Sequence, residues 1–313
     1  RSSAKAAVQE GRVTGEVRIA RNRRCSALDA HAQPAARVPP GSIVEFETSD
    51  EPYEQLARGI SLDLLPIEQF NQVTGPLAVE GVVPGDTLRV DILDIHIERA
   101  WLVFLRAFGP LGRWLPETFC WELPIEGHTL VVSPRVRLPL QPSIGCIGLA
   151  PKHGRSSTFR PVWPWGGNLD LPELRPGSTI WLPVQRPEAF LFIGDVHAAI
   201  GAGEPAHVGI EAAARVRVRV DRVTGLRCPA PRLRTEHELI FVGIGETIPL
   251  ALRRALEHAL EALRVEYKLT PPEAYGLVCG CLSYRFGGPA GPVVLASLPV
   301  AVLDQLSGTA TPS

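Results

Sequence analysis

The residues best able to do chemistry lie together in one short segment. Residues 194–204 read GDVHAAIGAGE and contain Asp195, His197 and Glu204. An Asp and a His two positions apart on an extended backbone point to the same side, and a Gly-x-Gly turn can return Glu204 to the same pocket. Oxygen and nitrogen ligands of these types suit a divalent metal ion. The same three groups can equally form a metal-free acid/base set or a hydrogen-bonded strand end without chemistry.

Strands that follow tight turns are expected to position these residues. The chain has 29 glycines and 30 prolines among 313 residues, whereas the usual combined share is about 12 %. This excess favours many short strands and argues against an all-helical fold. Three Pro-Gly pairs are typical of type II turns, because Pro fixes φ of the second turn residue and Gly tolerates the positive φ of the third. The strands predicted to follow them are 43–47, 87–91 and 179–182.

An alternation of basic and apolar residues indicates a further strand. Residues 215–220 alternate Arg with Val, which predicts one basic face and one apolar face. We interpret the basic face as a solvated sheet surface, with an anion-binding surface as the alternative. Further strands are predicted at 13–19, 131–138, 189–193 and 293–298.

Helices are predicted only near the C-terminus. Thr247 and Thr270 are typical N-cap residues, and Glu273 completes a capping box with Thr270. These caps predict a C-terminal helical pair. Residues 139–168 are rich in Gly, Pro and Ser and lack periodicity, so we expect a long functional loop there. We expect the tail after Gly308 to be disordered.

Charge and hydropathy exclude several classes of protein. The 32 Lys+Arg balance 33 Asp+Glu for a net charge of −1, which excludes the strong basic field of a nucleic-acid binder or a polybasic membrane-surface protein. No apolar stretch is long enough for a transmembrane helix. The six cysteines form no disulfide framework, so we expect reduced thiols in a cytoplasmic protein. Methionine is absent even at position 1, and we expect a processed, truncated or replaced N-terminus.

Seven motifs, in the same order along the chain, resemble the acetamidase/formamidase family. Three of them lie around the polar segment: WGGNLD at 165–170, LRPGSTIWLPV at 174–184 and GDVHAAIGAGE at 194–204. They are similar to the family's G-G-N-[ML]-D, P-G-[SA]-T-L-Y-L-P-V and G-D-x-H-A-A-x-G-D-G-E. The resemblance runs across residues 25–300. The other four motifs are PGSIVEFET at 40–48, NQVTGP at 71–76, GVVPGDTL at 81–88 and GCIGLAP at 145–151.

The resemblance implies a fold and a reaction. The family is mainly β (α+β), with β-sandwich and barrel-like halves and a C-terminal helical element. We therefore expect an N-terminal β-rich half at 1–138, interlocked with a second half at 139–313 that carries the site. The implied reaction is hydrolysis of the carbon–nitrogen bond of a linear amide, and some members bind Zn²⁺ or Ca²⁺. We also expect a homo-oligomer with a small-molecule substrate and without nucleic-acid or membrane partners.

The resemblance also implies roles for individual residues. Asp195, His197 and Glu204 would be metal ligands or acid/base groups. Glu204 would activate water or protonate the leaving nitrogen. The groups expected to hold the tetrahedral oxyanion are Asn168 and the backbone amides near Gly166 and Gly167.

Three departures from the family pattern fall where the chemistry is expected. Ala202 stands in place of an aspartate, Trp165 in place of a histidine, and residues 275–282 lack a typical aspartate. Loss of such ligands or their neighbours can weaken metal binding by about 10–100-fold. One expectation is therefore altered chemistry or an absent divalent metal, and the other is sequence drift outside the site.

All six tryptophans lie between positions 101 and 181. Because Trp often forms the wall of a binding pocket, Trp163 and Trp165 are predicted to bind substrate together with Gly166 and Gly167. Core packing is the alternative for each Trp. If they line the pocket, the substrate is bulkier and more apolar than acetamide.

Three functions remain open at this point. The first is a hydrolase of a linear amide. The second is a family scaffold recruited to another reaction, such as a cyclisation or rearrangement in specialised metabolism. The third is a non-catalytic binding protein that has kept the pocket. Release of ammonia from a panel of amides separates the first from the other two.

Overall fold

Strands dominate the structure, a computed structural model that describes residues 17–307. The predicted mainly β fold is confirmed. The strands, in chain order, are β1 Val17–Ile19, β2 Arg24–Cys25, β3 Ala27–Asp29, β4 Ala36–Val38, β5 Ile43–Glu47, β6 Val73–Val79, β7 Thr87–Phe104, β8 Phe119–Glu122, β9 Ile125–Glu126, β10 Thr129–Ser133, β11 Val136–Pro139, β12 Ser143–Leu149, β13 Arg155–Ser157, β14 Pro161–Val162, β15 Gly166–Asn168, β16 Thr179–Pro183, β17 Leu191–Ala199, β18 Ile210–Val223, β19 Arg232–Arg234, β20 Glu238–Ile244, β21 Ser283–Phe286 and β22 Val293–Pro299.

Most of these strands belong to one large, branched sheet. Within residues 17–307 it contains 17 strands, beside a three-stranded sheet of β9, β10 and β11 and a two-stranded pairing of β3 with β13. The longest pairing is antiparallel, between β7 and β18, and runs from Thr87 opposite Val223 to Leu102 opposite Ile210. Among residues 17–307, the largest of four hydrophobic clusters collects inward side chains of strands from both ends of the chain.

The Pro-Gly turns form as predicted. Gly41, Gly85 and Gly177 have φ values of +85°, +97° and +88°, in a region that side chains with a Cβ rarely enter. They are followed by β5, β7 and β16. Along β7, Leu88 is fully buried and Arg89 is exposed, as the period of two requires.

The basic face of β18 meets acidic residues on its neighbours. Arg215 Nε lies 3.2 Å from Glu98 Oε1 of β7, and Arg217 is opposite Glu45 of β5. The alternate Val residues are fully buried. This charge pairing agrees with the solvated interpretation of that face rather than with anion binding.

The two predicted C-terminal helices are present. The first, α2 (Ile248–Val265), is capped by Thr247 Oγ1, which accepts the N–H of Leu250 at 3.3 Å. The second, α3 (Pro271–Cys281), has the predicted capping box with Thr270 at its N-cap. The small residues of α2 pack onto β20 and β22. Two short helices lacked a sequence signal, α1 (Glu51–Ala57) and α4 (Val300–Ser307).

Two sequence predictions are wrong. Residues 139–168 do not form one loop, because they contain β12 to β15. β12 is buried on both faces, and such a strand shows no alternation of apolar and polar residues. Residues 131–138 form a hairpin rather than one strand: Ser133 ends β10, and its Oγ accepts the N–H of Val136 at 3.1 Å.

Some expectations lie outside the described residues or remain predictions. The tail after Gly308 and the first part of the predicted strand 13–19 lie outside them. The division of the chain after residue 138 stays a prediction, and the pairings of β6 with β17 and of β7 with β16 and β18 cross it. None of the helices described here is long and apolar enough to cross a membrane.

Candidate functional site

Strand β17 brings Asp195 and His197 into the middle of the large sheet. β12 pairs along one side of it, while β6 and then β18 pair along the other. Asp195 lies where the pairing passes from β6 to β18, and its φ is +52°. The backbone there is therefore not extended, contrary to the sequence expectation. Gly194 is required just before it, since a Cβ would lie 2.3 Å from the carbonyl oxygen of Gln72.

Four carboxylates surround His197. Asp170, Asp195 and His197 offer ligand atoms that all lie within 4.8 Å of one another, and the same is true of His197, Glu204 and Glu211. His197 Nε2 lies 3.7 Å from Glu204 Oε1 and 3.6 Å from Glu211 Oε1. Asp195 is partly buried and the other four residues are buried. The structure thus brings the three predicted residues together and adds two carboxylates.

A strained turn returns Glu204 to this cluster. Glu204 and His207 have φ values of +42° and +62°, which cost about 1–3 kcal/mol each and persist only when surrounding contacts hold them. The Glu204 N–H donates to Gly201 O at 2.9 Å. Phe108 packs edge-on against His207, with 6.1 Å between ring centroids. Ala202, where the family pattern has aspartate, is exposed at this turn and lies outside the buried cluster.

Asp170 and Glu211 are the site residues that sequence reasoning missed. Asp170 closes the WGGNLD motif, so a signal for it was present. Glu211 is opposite His197 in the pairing of β17 with β18. His197 and Glu211 lie the same number of residues before and after Glu204, so in a hairpin with Glu204 at its turn the two would face each other. Treating residues 194–204 as the first arm of such a hairpin would have found Glu211. The Gly209 N–H donates to Glu211 Oε1 at 2.9 Å and holds that carboxylate in place.

Burial and mutual repulsion govern the charge of the cluster. Desolvation raises the pKa of Asp195 to about 6 and that of Glu204 to about 8. Desolvation and the neighbouring carboxylates raise the pKa of Asp170 well above its usual range. Burial opposes protonation of His197, but Glu211, Asp195 and Glu204 outweigh it and raise the pKa of the imidazole. The cluster therefore favours bound protons or a bound cation.

The donor set fits a divalent cation. Carboxylate oxygens and an imidazole nitrogen are ligands of Zn²⁺, and carboxylates also suit Ca²⁺. Two buried donor atoms of the cluster, Asp170 Oδ1 and His197 Nδ1, have no hydrogen-bond partner among residues 17–307. Each of the two trios around His197 offers three ligand atoms. The residues present are thus suited to hold a metal ion despite Ala202 and Trp165.

Asn168 adjoins the cluster, whereas the neighbouring glycines do not. Asn168 Nδ2 donates to Asp170 Oδ2 at 3.0 Å, and its Oδ1 is buried without a partner. Asn168 therefore offers a free acceptor and has one amide N–H already engaged. Gly166 and Gly167 form β15, which pairs with β12 and β14.

The tryptophans predicted to bind substrate pack elsewhere. Arg254 lies over the Trp163 ring, 4.6 Å from its centroid. Trp165 packs against the core, with its Nε1 buried. Neither residue, nor Gly166 or Gly167, lines the cavity that the four carboxylates of the cluster line.

That cavity measures about 550 Å³. It joins the carboxylates to an apolar wall that comes from three other segments of the chain. Its larger members are Tyr53, Leu62, Leu65, Ile67, Phe70, Leu105, Phe108 and Phe159.

Known proteins resemble the chain over most of its length. The Acetamidase/Formamidase family model matches residues 156–282. An acetamidase from Bacillus halodurans, whose crystal structure is known, is 32% identical with a TM-score of 0.85, over 93% of this chain and 99% of that one. A predicted acetamidase/formamidase from Thermoanaerobacter tengcongensis is 27% identical with a TM-score of 0.87, over 93% and 98% of the two chains. A formamidase from Methylophilus methylotrophus is 25% identical over 311 residues, 73% of this chain and 76% of its own.

These similarities agree with the seven motifs and with the fold. The match to the Bacillus protein extends over nearly all of both chains, so it is not confined to a shared subdomain. The family model covers Asp170, the polar strand β17 and Glu211. The chain therefore belongs to the acetamidase/formamidase family of amide hydrolases.

Proposed function

We propose that the protein hydrolyses the carbon–nitrogen bond of a linear amide that is larger and more apolar than acetamide. The observation that carries this proposal is the cavity of about 550 Å³, in which an apolar wall adjoins the buried carboxylates. Acetamide would leave most of such a wall in contact with water. An alkyl or aryl group would bury it, at a gain of about 25 cal/mol for each Å² removed from water.

Hydrolysis requires two proton transfers. Water adds to the carbonyl carbon and loses a proton, and the leaving nitrogen gains a proton as the C–N bond breaks, which yields ammonia and a carboxylic acid that then releases its proton to water. We assign to Glu204 the role of donating the proton to the leaving nitrogen, because its pKa of about 8 lets its carboxyl group hold a proton near neutral pH. Glu211, fixed by the Gly209 N–H, can accept the proton of water.

The remaining trio is assigned to a cation. Asp170, Asp195 and His197 would hold a divalent ion such as Zn²⁺ or Ca²⁺. When bound, such an ion lowers the pKa of water and polarises the amide carbonyl. Asn168, through its bond to Asp170, fixes the orientation of that carboxylate.

Ammonia release tests the proposal directly. The purified protein, with and without added Zn²⁺ or Ca²⁺, is supplied with acetamide, hexanamide and phenylacetamide. We expect the two larger amides to give the higher kcat/KM. Asp195→Asn should abolish the activity. The control variant Asp304→Asn should keep it, because the side chain of Asp304 is 65% exposed and does not belong to the carboxylate cluster. If no amide releases ammonia under any condition, a non-hydrolytic reaction or a binding function replaces this proposal.

A further inference from the structure

Asn71 presents a hydrogen-bond acceptor that no group uses in the part of the chain that the structure describes. The residue is 7% exposed and lines the cavity of the site. Its Oδ1 is buried and has no partner. A buried polar atom left without a partner destabilises the protein, so such atoms in native proteins are completed by a ligand or an ordered water.

The backbone holds Asn71 beside the carboxylate cluster. It lies two residues before Val73, which pairs with Gly194, the residue that precedes Asp195. The hydroxyl of Tyr53 donates to the carbonyl oxygen of Phe70 at 3.3 Å and fixes the chain just before Asn71. The acceptor is thus set in place before any ligand arrives.

The chemistry of the cavity indicates what this acceptor would bind. A carboxamide differs from the corresponding ester or ketone by its N–H groups, which only an acceptor can recognise. Asn168 Oδ1 is a second buried acceptor without a partner in the same lining. Two such acceptors match the two N–H bonds of a primary carboxamide.

We propose that Asn71 determines specificity, because its Oδ1 accepts a hydrogen bond from the carboxamide N–H of the substrate. This inference rests on the proposed function, since it concerns the same site. A pocket built to bond a substrate N–H leaves its own polar atom unpaired when an analogue lacks that group, and it discriminates strongly for that reason. Asn71 would therefore separate amides from esters and ketones of the same shape.

Binding of two isosteric ligands tests the inference without requiring turnover. Every protein in this titration carries Asp195→Asn, so that the amide binds without being hydrolysed. Phenylacetamide and phenylacetone, its methyl ketone, are titrated calorimetrically into this background with the natural Asn71, called the wild type in this titration, and into Asn71→Leu and Asn71→Ala. The matched control is Gln69→Leu, because Gln69 also has a buried amide oxygen without a partner but does not line the cavity. Circular dichroism and thermal melting establish that each variant is folded, and Asn71→Ala serves if Asn71→Leu is not.

The wild type and Gln69→Leu should bind the amide at least about tenfold more tightly than the ketone. Asn71→Leu should reduce that ratio to within about twofold. Equal binding of both ligands by the wild type, failure of both to bind, or an unchanged ratio in the Asn71 variants would overturn the inference. If the ratio depends on residue 71 but no amide is hydrolysed, the inference stands and the hydrolase proposal fails. If amides are hydrolysed but the ratio is unchanged, the reverse holds.

Discussion

Replacing His258 with leucine should make the fold less sensitive to acid. His258 lies on the buried face of α2 and is 2% exposed. Its ring is edge-on to Phe241 at 5.0 Å between centroids, and neither ring nitrogen has a hydrogen-bond partner among the described residues. Burial, together with the charge of Arg232, lowers the pKa of this imidazole from 6.5 to about 3. The folded protein thus keeps His258 neutral over a range in which the unfolded chain protonates it.

The sign and the size of the effect follow from linkage. Because the folded-state pKa is the lower one, the stability is complete above pH 6.5 and is lost as the pH falls toward 3. Each pH unit in that window removes about 1.4 kcal/mol of unfolding free energy, so pH 5.0 costs about 2 kcal/mol relative to pH 7.5. Asp195 and Glu204 have raised pKa values and stabilise the fold as the pH falls. Because these carboxylates are the same in the wild type and in the variant, the difference between the two proteins in stability lost on acidification reports on His258.

Urea unfolding at the two pH values measures this difference. Between pH 7.5 and 5.0, His258→Leu should lose about 2 kcal/mol less stability than the wild type. A matched control is His237→Gln, at an imidazole that is 77% exposed, and it should follow the wild type. If His258→Leu and the wild type lose equal stability over this range, the argument from burial of an unpartnered imidazole is refuted.

Three further substitutions address the site. Glu204→Gln should lower kcat for phenylacetamide by about 10²-fold or more, as expected for loss of a proton-transfer group, and should change amide binding little. An unchanged kcat would show that Glu204 does not transfer a proton in the reaction. Leu65→Ala should reduce kcat/KM for hexanamide by about tenfold or more and leave acetamide nearly unaffected, whereas an equal loss for both substrates would speak against an acyl-binding wall. Gly194→Ala should lower both Tm and activity, because the new Cβ would lie 2.3 Å from Gln72 O. A Gly194→Ala protein as stable as the wild type would contradict the close packing of β6 on β17. The control is Gly276→Ala, where the space around the residue is open and the substitution should raise the stability by about 1 kcal/mol.

Elements governed by local chemistry could be predicted from the sequence. Pro-Gly pairs impose backbone angles on the turns before β5, β7 and β16, whatever the rest of the chain does. The caps at Thr247 and Thr270 satisfy N–H groups within their own helices. Alternation along β18 reports one buried face. Each of these signals is complete within a few residues.

Elements governed by distant partners could not be predicted in this way. β12 is covered on both faces, so its sequence carries no alternation that distinguishes it from a loop. Half of the carboxylates reach His197 only through sheet pairing: Glu211 arrives across the pairing of β17 with β18, and Asp170 follows β15. The tryptophans show the same limit, because the sequence does not reveal whether a large apolar side chain faces the core or a cavity.

The pairing of β7 with β18 sets when the site can form as the chain folds. Phe104 and Ile210, the nearest ends of the two strands, are more than a hundred residues apart in sequence. Closing so long a loop costs conformational entropy before stabilising contacts between the strands can form. Glu211 takes its position only when β18 is paired. A nascent chain therefore carries β7 with an unpaired edge throughout synthesis of the intervening residues, which exposes it to aggregation. Slow synthesis at low temperature should raise the yield of folded protein, and fragments that end before residue 210 should lack a complete carboxylate cluster.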